Sequence, residues 1–325
     1  MASKSDWISG IVKIGLSLVL LVWLFSSTGA EATIQKMQAI GPWAVLAALG
    51  FALLVLSSNG LALYAMYRSV GPLKFGRFTH AFLSSWVLGY LLPGKIGGLS
   101  IGWMLKKEVP IGTSTAIFIW DKLISVVLAF ALGLLLLPAI LPPPLVVPVI
   151  GGVLLMLLGG VALTLSRPGQ QLLRRLLGKR SELFAGYATS CLQLTQNPWG
   201  IVANGILTLT RFAIQAAMMF VLFDSLGIHV SYPNMILLIC STTLVSIMPF
   251  TFSGLGVKEN VFVYLAIKMG IDPAPATAVI FTSTIVSWAV LVLFVGMLYE
   301  EAKALMQQAK EESGNWSASI ALPKK

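Results

Sequence analysis

MPFTFSGLGVKEN, residues 248–260, places a proline, two glycines and the Lys258–Glu259 pair in the middle of the long apolar stretch from Met235 to Met269. A helix broken at membrane depth frees backbone N–H and C=O groups that hydrocarbon cannot satisfy, so such a break has to face protein or a wet cavity. Pro249 ends an incoming helix, and the glycines let the chain turn without side chains in the way. The stretch is therefore read as a re-entrant helical hairpin rather than a crossing. GYLLPGKIGGLSIG, residues 89–102, interrupts a second apolar region, Phe78 to Leu105, in the same manner. Pro93, Gly97, Gly98 and Leu99 line up with Pro249, Ser253, Gly254 and Leu255. Two such breaks approached from opposite sides of a membrane are what an inverted repeat produces.

Of 325 residues, 57% are hydrophobic and 10% charged, and the mean hydropathy is +0.88. Such values are foreign to a soluble domain of this length. The charges sit in short stretches separated by apolar runs of about 20 residues, the length a helix needs to cross a bilayer. Ile8 to Phe25, Trp43 to Met66, Gly112 to Leu137, Leu145 to Leu165, Gly200 to Phe223 and Ala276 to Tyr299 can each cross. The predicted fold class is an all-α polytopic integral membrane protein, with about six full spans and the two hairpins. A transmembrane barrel would need alternating segments of about ten residues, which the sequence lacks. Ile8 to Phe25 has the look of a signal peptide, yet STGAEAT behind it offers no small-x-small cleavage site, and it is read as a retained first helix. One transmembrane domain over residues 1–300 and a tail over 301–325 that begins as a helical extension complete the organisation. No soluble catalytic domain is left to place.

A net charge of +10 would point a soluble protein toward nucleic acid. In a membrane protein Lys and Arg mark cytoplasmic loops instead, so no nucleic-acid partner is expected. Lys4, Arg68, Lys74, Arg77, Lys106, Lys107, Arg167, Arg174, Arg175, Lys179 and Arg180 share one side if the first hairpin enters and returns; the opposite loops carry little beyond Lys36 and Lys268. This orients a multi-pass protein of the cell membrane with both termini cytoplasmic. Residues 168–193 alternate Leu172, Leu173, Leu176 and Leu177 with Arg174, Arg175, Lys179 and Arg180, which reads as a helix on an anionic lipid surface or, alternatively, as a solvated basic loop. Cys191 and Cys240 lack CxxC spacing and His80 and His229 lie far apart, so neither a metal site nor a disulfide framework is expected. No nucleotide-binding loop occurs, and no cofactor is expected.

The returning half-helices should begin near Leu99 and Leu255 and present their N-termini at mid-depth, where free N–H groups and the helix dipole attract anions such as phosphate. Lys95 and Lys258 stand at or one turn beyond these tips. With Gly97, Gly98, Ser253, Gly254 and Gly256 forming the turns, and Pro93 and Pro249 the helix breaks, they compose a candidate phosphate site near the bilayer centre. Asp121 and Lys122 in one span, Arg211 midway along another, and Glu259 are ionisable at similar depth, where insertion is expensive and function is the usual reason for it. The competing readings are a buried ion pair that fixes helix register, for Asp121 with Lys122 or Arg211, and snorkelling of Lys95 to the interface. Ser84, Ser85, Thr242, Thr243, Thr282, Ser283 and Thr284 read as helix-packing residues.

LPGKIGGLS followed by STAIFIWDKL, and MPFTFSGLGVKENVFVYLAIKMGIDPAPATAVIF, resemble the transmembrane region of the lysylphosphatidylglycerol synthase and flippase-like family, over about residues 10 to 300. The second motif is the more specific. The resemblance implies a module that moves a modified lipid between leaflets; without an aminoacyl-transfer domain, translocation and not synthesis is expected. Where the family commonly carries Glu and then Arg after the first break, this chain has Gly98 and Ile101. Asp121–Lys122 stands at a Glu-Arg pair, and TSTIVSW lacks a usual late Arg. Lys does not reproduce a bidentate Arg clamp on phosphate.

The function expected is a non-enzymatic lipid flippase for a phosphate-containing polar lipid, an aminoacyl-phospholipid or a lipid-linked sugar, working by alternating access. Its partners would be that membrane lipid, the anionic lipid surface and a neighbouring synthase. The alternatives are a membrane-embedded enzyme or accessory subunit of lipid or glycolipid modification, which would need paired carboxylates or a metal cluster, and an ion or small-solute channel built on the hairpins.

Overall fold

A computed structural model describes the backbone of residues 4–91, 98–134, 186–246 and 255–320, and of the isolated positions 144, 147, 148, 151, 155 and 159. Within them run α1 (Lys4–Thr28), α2 (Ala30–Ala39), α3 (Pro42–Val70), α4 (Phe75–Leu91), α5 (Ile101–Met104), α6 (Ile111–Leu134), α7 (Tyr187–Gln196), α8 (Trp199–Asp224), α9 (Tyr232–Ser246), α10 (Val257–Lys268) and α11 (Pro273–Ile320). No strand occurs among the described residues. α3, α6, α8 and α11 are long and apolar enough to cross a membrane, and α1 with α2 adds a bent fifth. These are five of the expected spans. The sixth, Leu145 to Leu165, and the basic part of the expected surface helix lie outside the described residues, as do both hairpin tips at 92–97 and 247–254.

Local sequence explains the punctuation. Gly29, at φ +83°, takes a backbone conformation other residues resist and turns α1 into α2 at 87°. Proline opens α3 at Pro42 and α11 at Pro273, where a missing N–H costs nothing. Exposed Leu18, Val22, Trp23, Leu54, Val292 and Leu293 have no place on a water-facing surface. They fit the lipid-facing side of a polytopic membrane protein.

The first hairpin is visible on both sides of its tip. Ser85 on α4 donates to the carbonyl of Gly98 at 3.1 Å, and Arg77 near the base of α4 pairs with Glu108 at 3.2 Å and donates to the carbonyl of Met104. The chain thus comes back alongside α4 to the end at which it started, and α6 begins there. In the second hairpin, the end of α9 and the start of α10 reach the same interior cavity.

α3 and α8 form the most extensive helix pair. Asn197 donates to the carbonyl of Ser69 at 3.3 Å, and farther along Arg211 donates to Asn59, so the two run antiparallel. Gly200 lets the backbones close up, since a Cβ there would stand 2.4 Å from Ser69 Oγ. α11 descends antiparallel to α4: Ser84 donates to the carbonyl of Met297 at 3.1 Å, and Tyr90 meets Trp288 edge-on. The described part of the 168–193 segment is α7, which leans on the start of α6 through a Thr113–Ser190 hydroxyl pair at 2.8 Å. One apolar core gathers Phe212, Phe223, Met235 and Phe262. A second gathers Tyr67, Phe78, Ile101 and Ile117.

Candidate functional site

Between these two cores lies a cavity of about 310 Å³, walled by residues of α3, α4, α6, α8, α9, α10 and α11. Most of its wall is apolar, with Leu56, Phe82, Phe118 and Met219 among the lining side chains, but Asp121, Lys122, Arg211 and Lys258 line it too. Asp121 follows the start of α6 by about 15 Å of helical rise and Arg211 follows the start of α8 by about 18 Å. Both therefore stand near the middle of a hydrocarbon core about 30 Å thick.

Asp121 is 2% exposed and is met by two donors. Lys122 Nζ reaches one carboxylate oxygen at 2.9 Å, and Asn204 of α8 donates to the other at 2.9 Å. The Lys122 side chain keeps 41% exposure, and its ammonium lies 5.2 Å from the Phe118 ring centroid. An acid at this depth is tolerable because every strong acceptor site is served by a cation or an amide.

Arg211 is held from two other helices. It donates to Asn59 Oδ1 of α3 at 2.5 Å and to Ser125 Oγ of α6 at 3.1 Å. Ser125 in turn donates to the backbone carbonyl of Asp121 at 2.8 Å. A guanidinium carries five N–H donors, so these bonds fix its plane and leave others for a ligand. No carboxylate lies within ion-pair distance of Arg211 among the described residues.

On α10 the arrangement differs. Glu259, 1% exposed, accepts from the Gly256 N–H at 2.8 Å and from the Thr284 hydroxyl at 3.1 Å. Lys258 Nζ stands 3.8 Å from it, with a third of its side chain exposed. Gly256 has φ +85°, and a Cβ there would fall 2.8 Å from Leu20 Cβ and 3.0 Å from the Ser17 carbonyl oxygen. α1 thus packs directly over the start of α10, and Asn260 ties it there by donating to the Leu20 carbonyl at 3.2 Å.

Of the residues singled out in the sequence, the cavity brings together Gly98, Asp121, Lys122, Arg211 and Lys258. Gly256 and Glu259 stand behind Lys258 as the start of its helix, not on the cavity wall. Lys95, Gly97, Ser253 and Gly254, and the breaks at Pro93 and Pro249, lie outside the described residues. Of the expected half-helix N-termini, α5 is a single turn of four residues, too short for peptide dipoles to sum, while α10 begins with the Gly256 N–H held by Glu259. The cations on the cavity wall are Lys122, Arg211 and Lys258.

Sequence reading passed over Asn59, Ser125 and Asn204, the partners that hold the charges in place. A signal existed: each Asn lies inside an apolar span, in LSSNGLAL and IVANGILT, where a primary amide is costly unless bonded. Gln215 and Tyr90 also line the cavity, and their positions become meaningful only once the helices are paired. Of the hydroxyl residues expected to pack helices, Ser84 and Ser85 bond across elements, while Thr242, Thr243 and Ser283 donate to carbonyls of their own helices.

Fold and cavity define a polytopic helical membrane protein with a charged chamber among its helices. The family described as the lysylphosphatidylglycerol synthase TM region matches residues 10–296, and the chain belongs to it. That places it among membrane proteins of lipid modification or flipping. No individual curated protein matches the chain.

Proposed function

We propose that the protein is a transporter that moves a phosphate-containing polar lipid between leaflets without converting it. The observation carrying this reading is the convergence of Lys122, Arg211 and Lys258, from three helices, on one otherwise mostly apolar chamber. Against them stand the carboxylates of Asp121 and Glu259, which leaves one positive charge unbalanced, the complement of a single phosphodiester. A buried unpaired cation is costly in hydrocarbon and becomes tolerable when an anionic headgroup arrives. The acyl or polyprenyl chain would stay against the apolar walls or in the bilayer, and an aminoacyl-phospholipid or a lipid-linked sugar fits this description. In this reading Asp121 and Glu259, each engaged by donors of the protein, position the cations beside them.

In this reading the end that carries Arg68, Lys74, Arg77, Lys106 and Lys107 faces the cytoplasm of a cell-membrane protein. α11 descends toward that end and α1 ascends from it, in keeping with cytoplasmic termini. Alternating access would follow from rocking the α9–α10 hairpin and its neighbours against the α4–α5 hairpin.

The test is transbilayer movement of headgroup-labelled phosphatidylglycerol in proteoliposomes, read with a quencher that reaches one leaflet. Lys258→Ala and Arg211→Ala should each slow movement by roughly tenfold or more, the loss of one charge-assisted contact. Arg211→Lys should recover little, since an ammonium cannot hold Asn59, Ser125 and a phosphate at once. Movement at the wild-type rate in both alanine variants removes the proposal.

A further inference from the structure

At the end of the molecule where α3 passes into α4, a second hollow of about 550 Å³ is lined by Arg68, Pro72, Leu73, Lys74, Arg77 and Glu108. It is preformed. The Gly71 N–H donates to the Tyr67 carbonyl at 3.1 Å, the Tyr64 hydroxyl donates to the Leu73 carbonyl at 3.0 Å, and Leu73 is buried. These contacts fix the connecting loop. On one wall Arg77 is spoken for, held by Glu108 and by the Met104 carbonyl at the base of the first hairpin. The Arg68 and Lys74 side chains, both exposed, have no hydrogen-bond or ion-pair partner among the described residues. Phe75 beside Lys74 is 52% exposed and Trp103 on α5 is 50% exposed, aromatic side chains of the kind that mark the headgroup level of a bilayer.

An unpartnered cation on the last turn of α3, another on the fixed loop that follows it, a held third, and exposed aromatics at the same end make a receptor for an anion that carries an apolar tail. From this we infer that the hollow holds an anionic phospholipid by its phosphate, at the membrane surface and apart from the central chamber. Arg68 and Lys74 contact the phosphate, while the Arg77–Glu108 pair shapes the floor. Arg77 and Ser85 share α4 and stand about 12 Å apart along it, so this headgroup sits at the outer end of the hairpin whose inner part lines the chamber. The inference does not depend on the transport reading.

Native mass spectrometry of the full chain in detergent, titrated with phosphatidylglycerol or with phosphatidylcholine, tests it. Wild type should retain, beyond any lipid in the central chamber, one tightly held phosphatidylglycerol that the Arg68→Ala/Lys74→Ala variant releases, with affinity falling on the order of thirtyfold. Phosphatidylcholine should bind weakly to both. Lys258→Ala should keep this binding event, and so should Lys106→Ala/Lys107→Ala, which removes the same charge from the same end. Because Arg68 and Lys74 are exposed, the double variant should melt as wild type does, and Arg68→Lys/Lys74→Arg should bind nearly as wild type. Undiminished phosphatidylglycerol binding in the alanine double variant overturns the inference, as does an equal loss in either control. Thermal stabilisation by inorganic phosphate that matches the lipid's and disappears in the same variant would assign the hollow to free phosphate and overturn the lipid assignment.

Discussion

Asp121–Lys122 on α6 and Lys258–Glu259 on α10 are both acid–base neighbours at one chamber, yet they are held in different ways. Consecutive residues of a helix do not face each other, so neither pair is an automatic ion pair. On α6 the lysine bends back to its neighbour at 2.9 Å, and the carboxylate takes its second bond from Asn204 on another helix. On α10 the carboxylate serves the backbone of its own first turn and a hydroxyl of α11, and the lysine is left 3.8 Å away. The acid of the first pair therefore neutralises its lysine and fixes a helix–helix contact. That of the second caps a helix and leaves its lysine the more available charge. For this reason Lys258, more than Lys122, is the residue expected to meet an anion.

Stability measurements can break or sharpen this contrast. Asp121→Ala should have the largest effect, about 3 kcal/mol in a detergent unfolding titration, since it strands Asn204 and Lys122 together near mid-membrane. A change as small as that of Glu259→Gln would erase the distinction between the pairs. Gly256→Ala comes next at about 2 to 3 kcal/mol, from the left-handed backbone and the collision with α1. It should lower the melting temperature accordingly, and full tolerance would mean that α1 does not bear on the start of α10. Glu259→Gln should cost least, about 1 kcal/mol, because an amide oxygen still accepts from the Gly256 N–H and the Thr284 hydroxyl can turn to accept from the amide nitrogen. A loss as large as that of Asp121→Ala would mean that Glu259 works through its charge and not through its cap.

Much of the architecture was legible in the chain itself. Runs near Trp43, Gly112, Gly200 and Ala276 announce spans because nothing but a bilayer accommodates so many apolar residues in succession. Pro93 and Pro249 announce breaks because proline cannot continue a helix. Asp121, Lys122, Arg211 and Lys258 were equally plain, since a charge inside such a run is conspicuous. Less plain were their keepers. Asn59 and Asn204 look like incidental polar residues until α3, α6 and α8 are set side by side, and Ser125 and Thr284 look like ordinary helix hydroxyls. Nor could the sequence show that the first hairpin returns through a single turn at Ile101–Met104, or that Gly256 is required by the approach of Leu20 as well as by its own backbone.

The sequence alone determined that this is a helical membrane protein, where most of its long helices run, and which charges interrupt their apolar runs. Those features follow from local composition, because the free energy of inserting a segment is close to a sum over its residues. Only the tertiary structure decided that the charges share one chamber, that Asp121 is clamped while Lys258 is loosely held, and that Arg68 and Lys74 flank a common hollow. Such arrangements depend on which helix faces meet, and that is set by close packing between segments far apart in the chain, Asn59 against Arg211 and Leu20 against Gly256 among them.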